Sequence, residues 1–274
     1  MGITAYQRFT ASMWGPPRDP TIFADVSVDA EPLEALIREE KKKGRRVTVT
    51  AIVARAVGYA LERVPEINVE FRRGLPRRRK YIDAWITFTD ERGRLSGKRF
   101  DNIHERSLPD IQTELDAAGR AYRGGKSKTG NRSNKLIRLL PMFLLRRLLR
   151  FSSWLVYNLR IGKGLVGVDK GLFGAVHITN IGTFGLRRVA SPIPTIQRLA
   201  FQLNVGAIYD EAVVRNGKVV PGRILPIIAS VDHRAVVGNV AGLLLAAFKE
   251  AIEEPKNLRA FLVPVTDAAP GPPA

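Results

Sequence analysis

The chain has 274 residues, 45% of them hydrophobic and 26% charged, which on a prior of about 150 residues per domain means one large domain or two small ones. It contains no cysteine, so disulfides, thiolate nucleophiles and cysteine metal sites are excluded, and any imidazole chemistry falls to His104, His177 or His233. Lys and Arg number 44 against 26 Asp and Glu, a net charge of +18 that suits phosphorylated cofactors, nucleic acid or anionic lipid without choosing among them.

Residues 22 to 28 place Ile22, Ala24, Val26 and Val28 in alternation with Phe23, Asp25 and Ser27, the period of a strand with one buried face. Asp29 follows as an N-cap, and Leu33, Leu36 and Ile37 give a helical stripe that stops near Gly44. A second helix carries Ile52, Val53, Ala56, Val57, Ala60, Leu61 and Val64 on one broad face and ends at Pro65. Strands are expected at Ile67 to Phe71 and at Tyr81 to Thr89, joined by a basic turn from Arg72 to Lys80 that reads as a solvated hairpin tip. Ser107, with Pro109 behind it, caps a third helix running to about Tyr122.

From Arg120 to Lys163 there are twelve basic residues and no acidic one, two thirds of the net charge in one stretch. Its first part reads as a flexible loop. Leu136 to Leu159 reads as a basic amphipathic helix, kinked or restarted at Pro141. Strands are expected at Phe173 to Ile178 and Phe201 to Ile208, then a hairpin from Ala212 to Val220 turning at Asn216-Gly217, a strand from Ile224 to Val231, and a helix from about Asn239 to Glu253. The Pro, Gly and Ala tail, residues 265–274, is expected to be disordered. There is no internal repeat, so the organisation expected is one domain, residues 1–264, with a basic helical insertion at about 120–170.

The N-terminus lacks a signal-peptide pattern, and Tyr6 stands where myristoylation requires Ser or Thr. No uncharged apolar run approaches the roughly 20 residues of a spanning helix. A cytoplasmic chain is expected, at most peripheral to a membrane. No phosphate-cradling glycine loop is present, and the histidines are too far apart for a two-histidine zinc motif, so no metal site is assigned. His104 lies in a polar loop and reads as a surface histidine. His177 sits inside a strand pattern and reads as an edge or interface residue. His233 stands where a long apolar strand meets a helix, a place where the sheet holds a side chain and the loop leaves it accessible.

Asp232-His233-Arg234-Ala235-Val236-Val237-Gly238 resembles the D-H-R-x-x-D-G signature of the catalytic domain of dihydrolipoyl acyltransferases, the cores of 2-oxo-acid dehydrogenase complexes, and of the related chloramphenicol acetyltransferases. Other segments resemble that family in order: Arg8 to Ser12 its R-M-T-x-S, Val47 to Ala51 its V-T-x-T helix, Pro65 to Asn68 its P-E-L-N, and His177 to Gly185 its T-I-S-N-L-G-x-F-G. Val205 to Ile208 resembles its V-G-A-I, and Asn216 to Lys218 its D-G-x hairpin.

The resemblance implies an α/β two-layer sandwich of the chloramphenicol acetyltransferase type that trimerises, with sites between neighbouring subunits. It implies coenzyme A as a substrate, His233 as general base on a thiol, and Thr179 from the adjacent subunit as oxyanion donor in the family's serine position. Coenzyme-binding residues are not assigned. Partners implied are a lipoyl-bearing protein and further copies of the trimer, up to a hollow cage. No lipoyl attachment is expected on this chain, since the matching region begins within the first ten residues. Three departures stand out. Val237 replaces the aspartate that helps fix the histidine loop, so an arginine must find another partner. Gly93 to Lys98 replaces a G-L-x-V-P-V segment and would change the substrate channel. The basic stretch exceeds the short family loop. These departures motivate a rival reading, a catalytically degenerate trimeric scaffold. Contact with an anionic membrane surface through residues 136–159 is compatible with either, and nucleic-acid binding ranks lowest.

Overall fold

The computed structural model describes residues 20–89, 95–123, 141–160, 171–236 and 238–264. The strands are β1 (Thr21–Asp29), β2 (Val69–Arg72), β3 (Leu75–Arg78), β4 (Ala84–Thr89), β5 (Leu95–Phe100), β6 (Val176–Asn180), β7 (Phe201–Val205), β8 (Tyr209–Arg215) and β9 (Lys218–Asp232). The helices are α1 (Glu31–Lys42), α2 (Val49–Arg63), α3 (Leu108–Arg123), α4 (Met142–Asn158), α5 (Gly238–Glu253) and α6 (Pro255–Ala260).

One mixed sheet has the order β1-β9-β7-β6-β4-β5, with β8 also paired to β9. β6 lies parallel to both β4 and β7, and β9 runs antiparallel to β1, β7 and β8. Alternation decides which face each strand buries. Val176, Ile178, Phe201, Leu203, Val205, Leu225, Ile227, Ala229 and Val231 point into one core with the apolar faces of α1, α2, α3 and α5. The opposite face carries His177, Thr179, Gln202, Asn204 and Ser230, and the result is a two-layer sandwich.

Local chemistry places the helix starts. Thr48 Oγ1 accepts the Ala51 N–H at 3.4 Å as the cap of α2, and its own O–H donates to Gln112 Oε1 at 2.8 Å, which ties α2 to α3. Ser107 Oγ accepts the Asp110 N–H at 3.2 Å, so the expected cap is present. The Asp29 carboxylate accepts the Glu31 N–H at 3.0 Å, although the residue flanking α1 is Ala30. The Asn216-Gly217 turn has φ of 51° and 74°, the left-handed pair that a tight hairpin needs.

Several expectations change. The strand expected to run from Ile224 is the end of a 15-residue β9 that starts at Lys218. The basic turn holds its own hairpin, β2–β3, turning at Arg73-Gly74 and forming a separate two-stranded sheet. Its tip is a platform as well as a solvated loop: Arg72 Nε donates to the Tyr157 carbonyl at 3.1 Å and the Arg73 N–H to Asn158 Oδ1 at 2.7 Å, at the C-terminus of α4. A cation there meets the helix's unpaired carbonyls. Pro141 starts the described part of α4; residues 136–140 of the expected helix, and the 265–274 tail, lie outside the described residues. His104 is no surface histidine, its side chain being 16% exposed with Nε2 3.4 Å from Glu105 Oε1. His177 is on an interior strand, not an edge.

Candidate functional site

β9 delivers His233 to a tight turn whose geometry is set by its neighbours. The Asp232 N–H donates to the Ala200 carbonyl at 2.8 Å, and the His233 N–H to the Pro20 carbonyl at 3.0 Å. Asp232 then folds the turn over itself, its Oδ1 accepting the Arg234 N–H and Nε at 3.0 Å each and its Oδ2 accepting Nη2 at 2.7 Å. The arginine of the loop thus finds its acid two residues back, and its guanidinium lies 4.6 Å from the centre of the Phe71 ring. Val237, which stands where the family signature has aspartate, lies outside the described residues.

His233 Nδ1 is 3.0 Å from the Val236 carbonyl oxygen. A carbonyl only accepts, so Nδ1 carries the proton and Nε2 keeps its lone pair. The side chain is exposed on this chain. The turn therefore fixes Nδ1 as the donor, so that the nitrogen left to act as a base is Nε2.

Thr179 is half-buried in β6, and its hydroxyl makes no hydrogen bond among the described residues. The following residues anchor the strand end: Asn180 Nδ2 donates to Thr50 Oγ1 at 2.9 Å, and the Ile181 N–H donates to the Val205 carbonyl at 2.9 Å. The two motifs meet just beyond. A Cβ on Gly182 would fall 2.5 Å from the Gly206 carbonyl oxygen, and one on Gly206 would fall 1.8 Å from the Arg187 oxygen. Only glycine permits that approach. A cleft of about 600 Å³ opens at this end of the sheet, lined by Thr48, Thr50, Thr87, Asn180 and Thr183 among others.

The structure does not bring His233 and Thr179 of one chain together. Val176, Phe201 and Val231 share one row of the sheet. Thr179 lies three residues from that row in one direction and His233 two in the other. At roughly 3.3 Å per residue and about 4.8 Å per strand, this puts them on the order of 16 Å apart along the strands and about 10 Å across.

Between them, the outer face of the sheet holds a polar layer that the sequence reading missed. Gln202 Nε2 donates to Ser191 Oγ at 2.5 Å, Ser191 Oγ to Asn204 Oδ1 at 2.6 Å, and Asn204 Nδ2 to Ser230 Oγ at 3.1 Å. His177 Nε2 is 2.6 Å from Thr87 Oγ1, while its Nδ1 is buried without a hydrogen bond. Burial holds the His177 pKa below the ordinary imidazole value, despite the neighbouring Gln197 and Gln202. The signal for this layer was available as Gln202 and Asn204 alternating with Phe201, Leu203 and Val205. Among the described residues no group of His, Asp and Glu is placed to hold a metal ion.

A family model, the catalytic domain of the 2-oxoacid dehydrogenases acyltransferase, matches residues 17–137 and 170–260. The chain belongs to this family, and α4 falls in the gap between the two matched stretches. The succinyltransferase component of the 2-oxoglutarate dehydrogenase complex of Bartonella vinsonii is 24% identical over 219 residues, 80% of this chain and 43% of that protein. The acetyltransferase component of the pyruvate dehydrogenase complex of Rhizobium meliloti is 36% identical over 85 residues, 31% of this chain and 19% of that protein. The chain therefore spans less than half the length of these curated relatives.

Among solved structures, a probable dihydrolipoamide acetyltransferase from Listeria monocytogenes superposes with a TM-score of 0.64 at 18% identity, covering 98% of this chain and 97% of that one. The cubic core of a pyruvate dehydrogenase multienzyme complex gives 0.64 at 18% identity, covering 96% and 93%. The expected fold class is borne out by these likenesses.

Proposed function

We propose that the chain transfers acyl groups between coenzyme A and a second thiol, working as a trimer in which His233 of one copy meets Thr179 of the next. The observation that carries this is the His233 turn, which protonates Nδ1 against the Val236 carbonyl and leaves Nε2 free. A neutral thiol, with an ordinary pKa of about 8.5, is a poor nucleophile and its thiolate a good one. Nε2 takes the S–H proton, and the thiolate adds to the thioester carbonyl. The Thr179 O–H donates to the resulting oxyanion. When the intermediate collapses, the proton on Nε2 passes to the departing thiolate, and the imidazole returns to its starting tautomer.

The span between the two residues on one chain supports a shared site, since no side chain bridges it. Phe23 at 51% exposure and the cross-strand pair Val214 and Val219, both at 72%, supply apolar surface for neighbours. A lipoyl-bearing protein is the thiol partner that the names of the relatives suggest, and assembly of trimers into a cage follows the cubic core among the structural neighbours.

The test is transfer from a panel of acyl-coenzyme A donors to dihydrolipoamide. His233→Ala is expected to lower turnover by about 10²–10⁴ and Thr179→Val by about 10²–10³. No transfer with any donor, or transfer that survives His233→Ala, replaces this reading with the scaffold. A stable monomer in light scattering removes the shared site.

A second reading concerns α4. It exposes Phe143, Phe151 and Trp154, the last two stacked with ring centres 6.2 Å apart, beside exposed Arg146, Arg147 and Arg150. No acidic residue lies on this helix, so we infer contact with an anionic lipid surface, lying on it and not across it. No helix among the described residues is long and apolar enough to cross a membrane.

A further inference from the structure

Beside the His233 turn lies a cleft of about 320 Å³, at the small end of the range for ligand pockets. Four parts of the chain build it: the β1 start, the β2–β3 hairpin, residues 193–199, and α4 through Arg150 and Ser153. Asp232 and Arg234, the neighbours of His233, complete the wall. α4 lies outside the family match, so this wall belongs to the chain's own elaboration of the fold.

The charges in the cleft do not balance. Three guanidiniums, Arg150, Arg198 and Arg234, face one carboxylate, Asp232, which Arg234 already engages with both Nε and Nη2. Arg198 is half-buried, and its hydrogen bonds go to neutral acceptors: Nε to Ser153 Oγ at 3.1 Å and Nη1 to the Phe71 carbonyl at 3.4 Å. Neither Arg198 nor Arg150 has an ion pair among the described residues. Burial above all, with the nearby Arg234, presses the Arg198 pKa downward against the opposing pull of Tyr157 and Glu70.

The backbone is also committed to this arrangement. Arg198 has φ of 55°, in the left-handed region where a residue with a side chain sits at a cost. Its carbonyl holds that position by accepting the Phe71 N–H at 3.2 Å. A cation pinned from both ends, half out of water and with no carboxylate in ion-pair contact among the described residues, is the arrangement that a bound anion completes.

We propose that this cleft binds a doubly charged oxyanion, a phosphate monoester or a dicarboxylate, between Arg198, Arg150 and Arg234. The site rests on the acyl-transfer reading only for its significance: beside His233 it would select a substrate whose anionic group lies a short distance from the reacting thioester or thiol. The phosphate source would be the coenzyme side, and the dicarboxylate source a free dicarboxylic acid, because the same acid joined as a thioester keeps only one carboxylate.

The experiment is calorimetric titration of the purified full chain at low ionic strength with inorganic phosphate, succinate and acetate. Saturable binding of phosphate or succinate, tighter than acetate, is expected, and the preferred probe identifies the source. Arg198→Gln and Arg150→Gln should each weaken that binding by about tenfold or more, the scale of one charged hydrogen bond, while Arg38→Gln, on exposed α1 surface, should leave it unchanged. Arg150 is exposed and its variant keeps the test open if Arg198→Gln fails to fold. The proposal is overturned if neither dianion saturates, if acetate binds equally well, or if Arg38→Gln weakens binding as much as the cleft variants. Turnover without anion binding would overturn the cleft alone, and anion binding without turnover would overturn the acyl-transfer reading alone.

Discussion

Helices α2 and α4 share a strong helical period of apolar residues, yet one is at the centre of the molecule and the other on its rim. α2 buries Ala51, Ile52, Val53, Ala56, Val57, Ala60 and Leu61, with small residues that let the helix lie close to the sheet. α4 buries little more than Ser152, Ser153, Val156 and Tyr157, and leaves Phe143, Leu144, Phe151 and Trp154 outside. Its attachment is polar: Arg72 and Arg73 hold its C-terminus, and the Tyr157 hydroxyl donates to the Gln197 carbonyl at 3.3 Å. The difference teaches that an apolar stripe identifies a helix without saying where the stripe faces. Alanines packed among aliphatics marked the inward face, and arginines interleaved with aromatics marked the outward one.

The sharpest way to break this comparison is to cut both helices. Leu61→Ala, in the core, should cost about 2–5 kcal/mol, whereas Phe151→Ser should change stability by no more than about 0.5 kcal/mol, both read from urea unfolding. Phe151→Ser combined with Trp154→Ser should also abolish binding to anionic vesicles, binding that in the intact chain weakens with added salt. A large stability loss from the α4 pair would mean that its outer face packs against protein.

A smaller effect tests the polar attachment. Asn158→Ala removes the acceptor of the Arg73 N–H and should cost about 1 kcal/mol, together with an increase in proteolysis within 141–160. Unchanged proteolysis would show that α4 is held by something other than the hairpin.

The smallest effect concerns the polar layer of the sheet. Because burial lowers the His177 pKa, the unfolded chain takes up a proton near the ordinary value of about 6.5 before the folded chain does. The stability held by neutral His177 is then complete above that value and is lost as the pH falls below it toward the folded pKa. Unfolding midpoints of the native chain and of His177→Gln, compared from pH 7.5 to 5.5, should diverge with a steeper acid loss in the native chain. Parallel curves would show that His177 is protonated without cost.

The main sheet was legible wherever alternation was clean: β1, β7 and the Asn216-Gly217 hairpin all lie where their patterns put them. β3 and β5 were not, because Leu75–Arg78 is entirely exposed and Leu95–Phe100 offers Ser, Gly, Lys and Arg where a pattern needs apolar residues. Both are fixed by pairing to a neighbour, a property that no local window contains. The placement of His233 was readable from its strand end. The clamp that holds it was readable in principle, since an Asp two residues before an Arg can fold a turn over itself, but the Arg198 contacts cross the chain and needed the fold. Thr179 was located only through motif likeness, because a threonine inside a strand carries no signal of its own.

β9 pairs along its length with three strands in turn: β8 from Lys218 to Ile224, β1 from Ile224 to Asp232, and β7 from Ile227 to Val231. Strand residues alternate faces, so losing or gaining one residue between Ile227 and Val231 would carry His233 to the wrong side of the sheet and break two ladders at once. The same change at Asn216-Gly217 would alter only a hairpin tip. Functional descendants of this chain should therefore vary in length at that tip and keep an invariant count from Ile227 to His233, and a scan of single-residue deletions across β9 would trace that boundary directly.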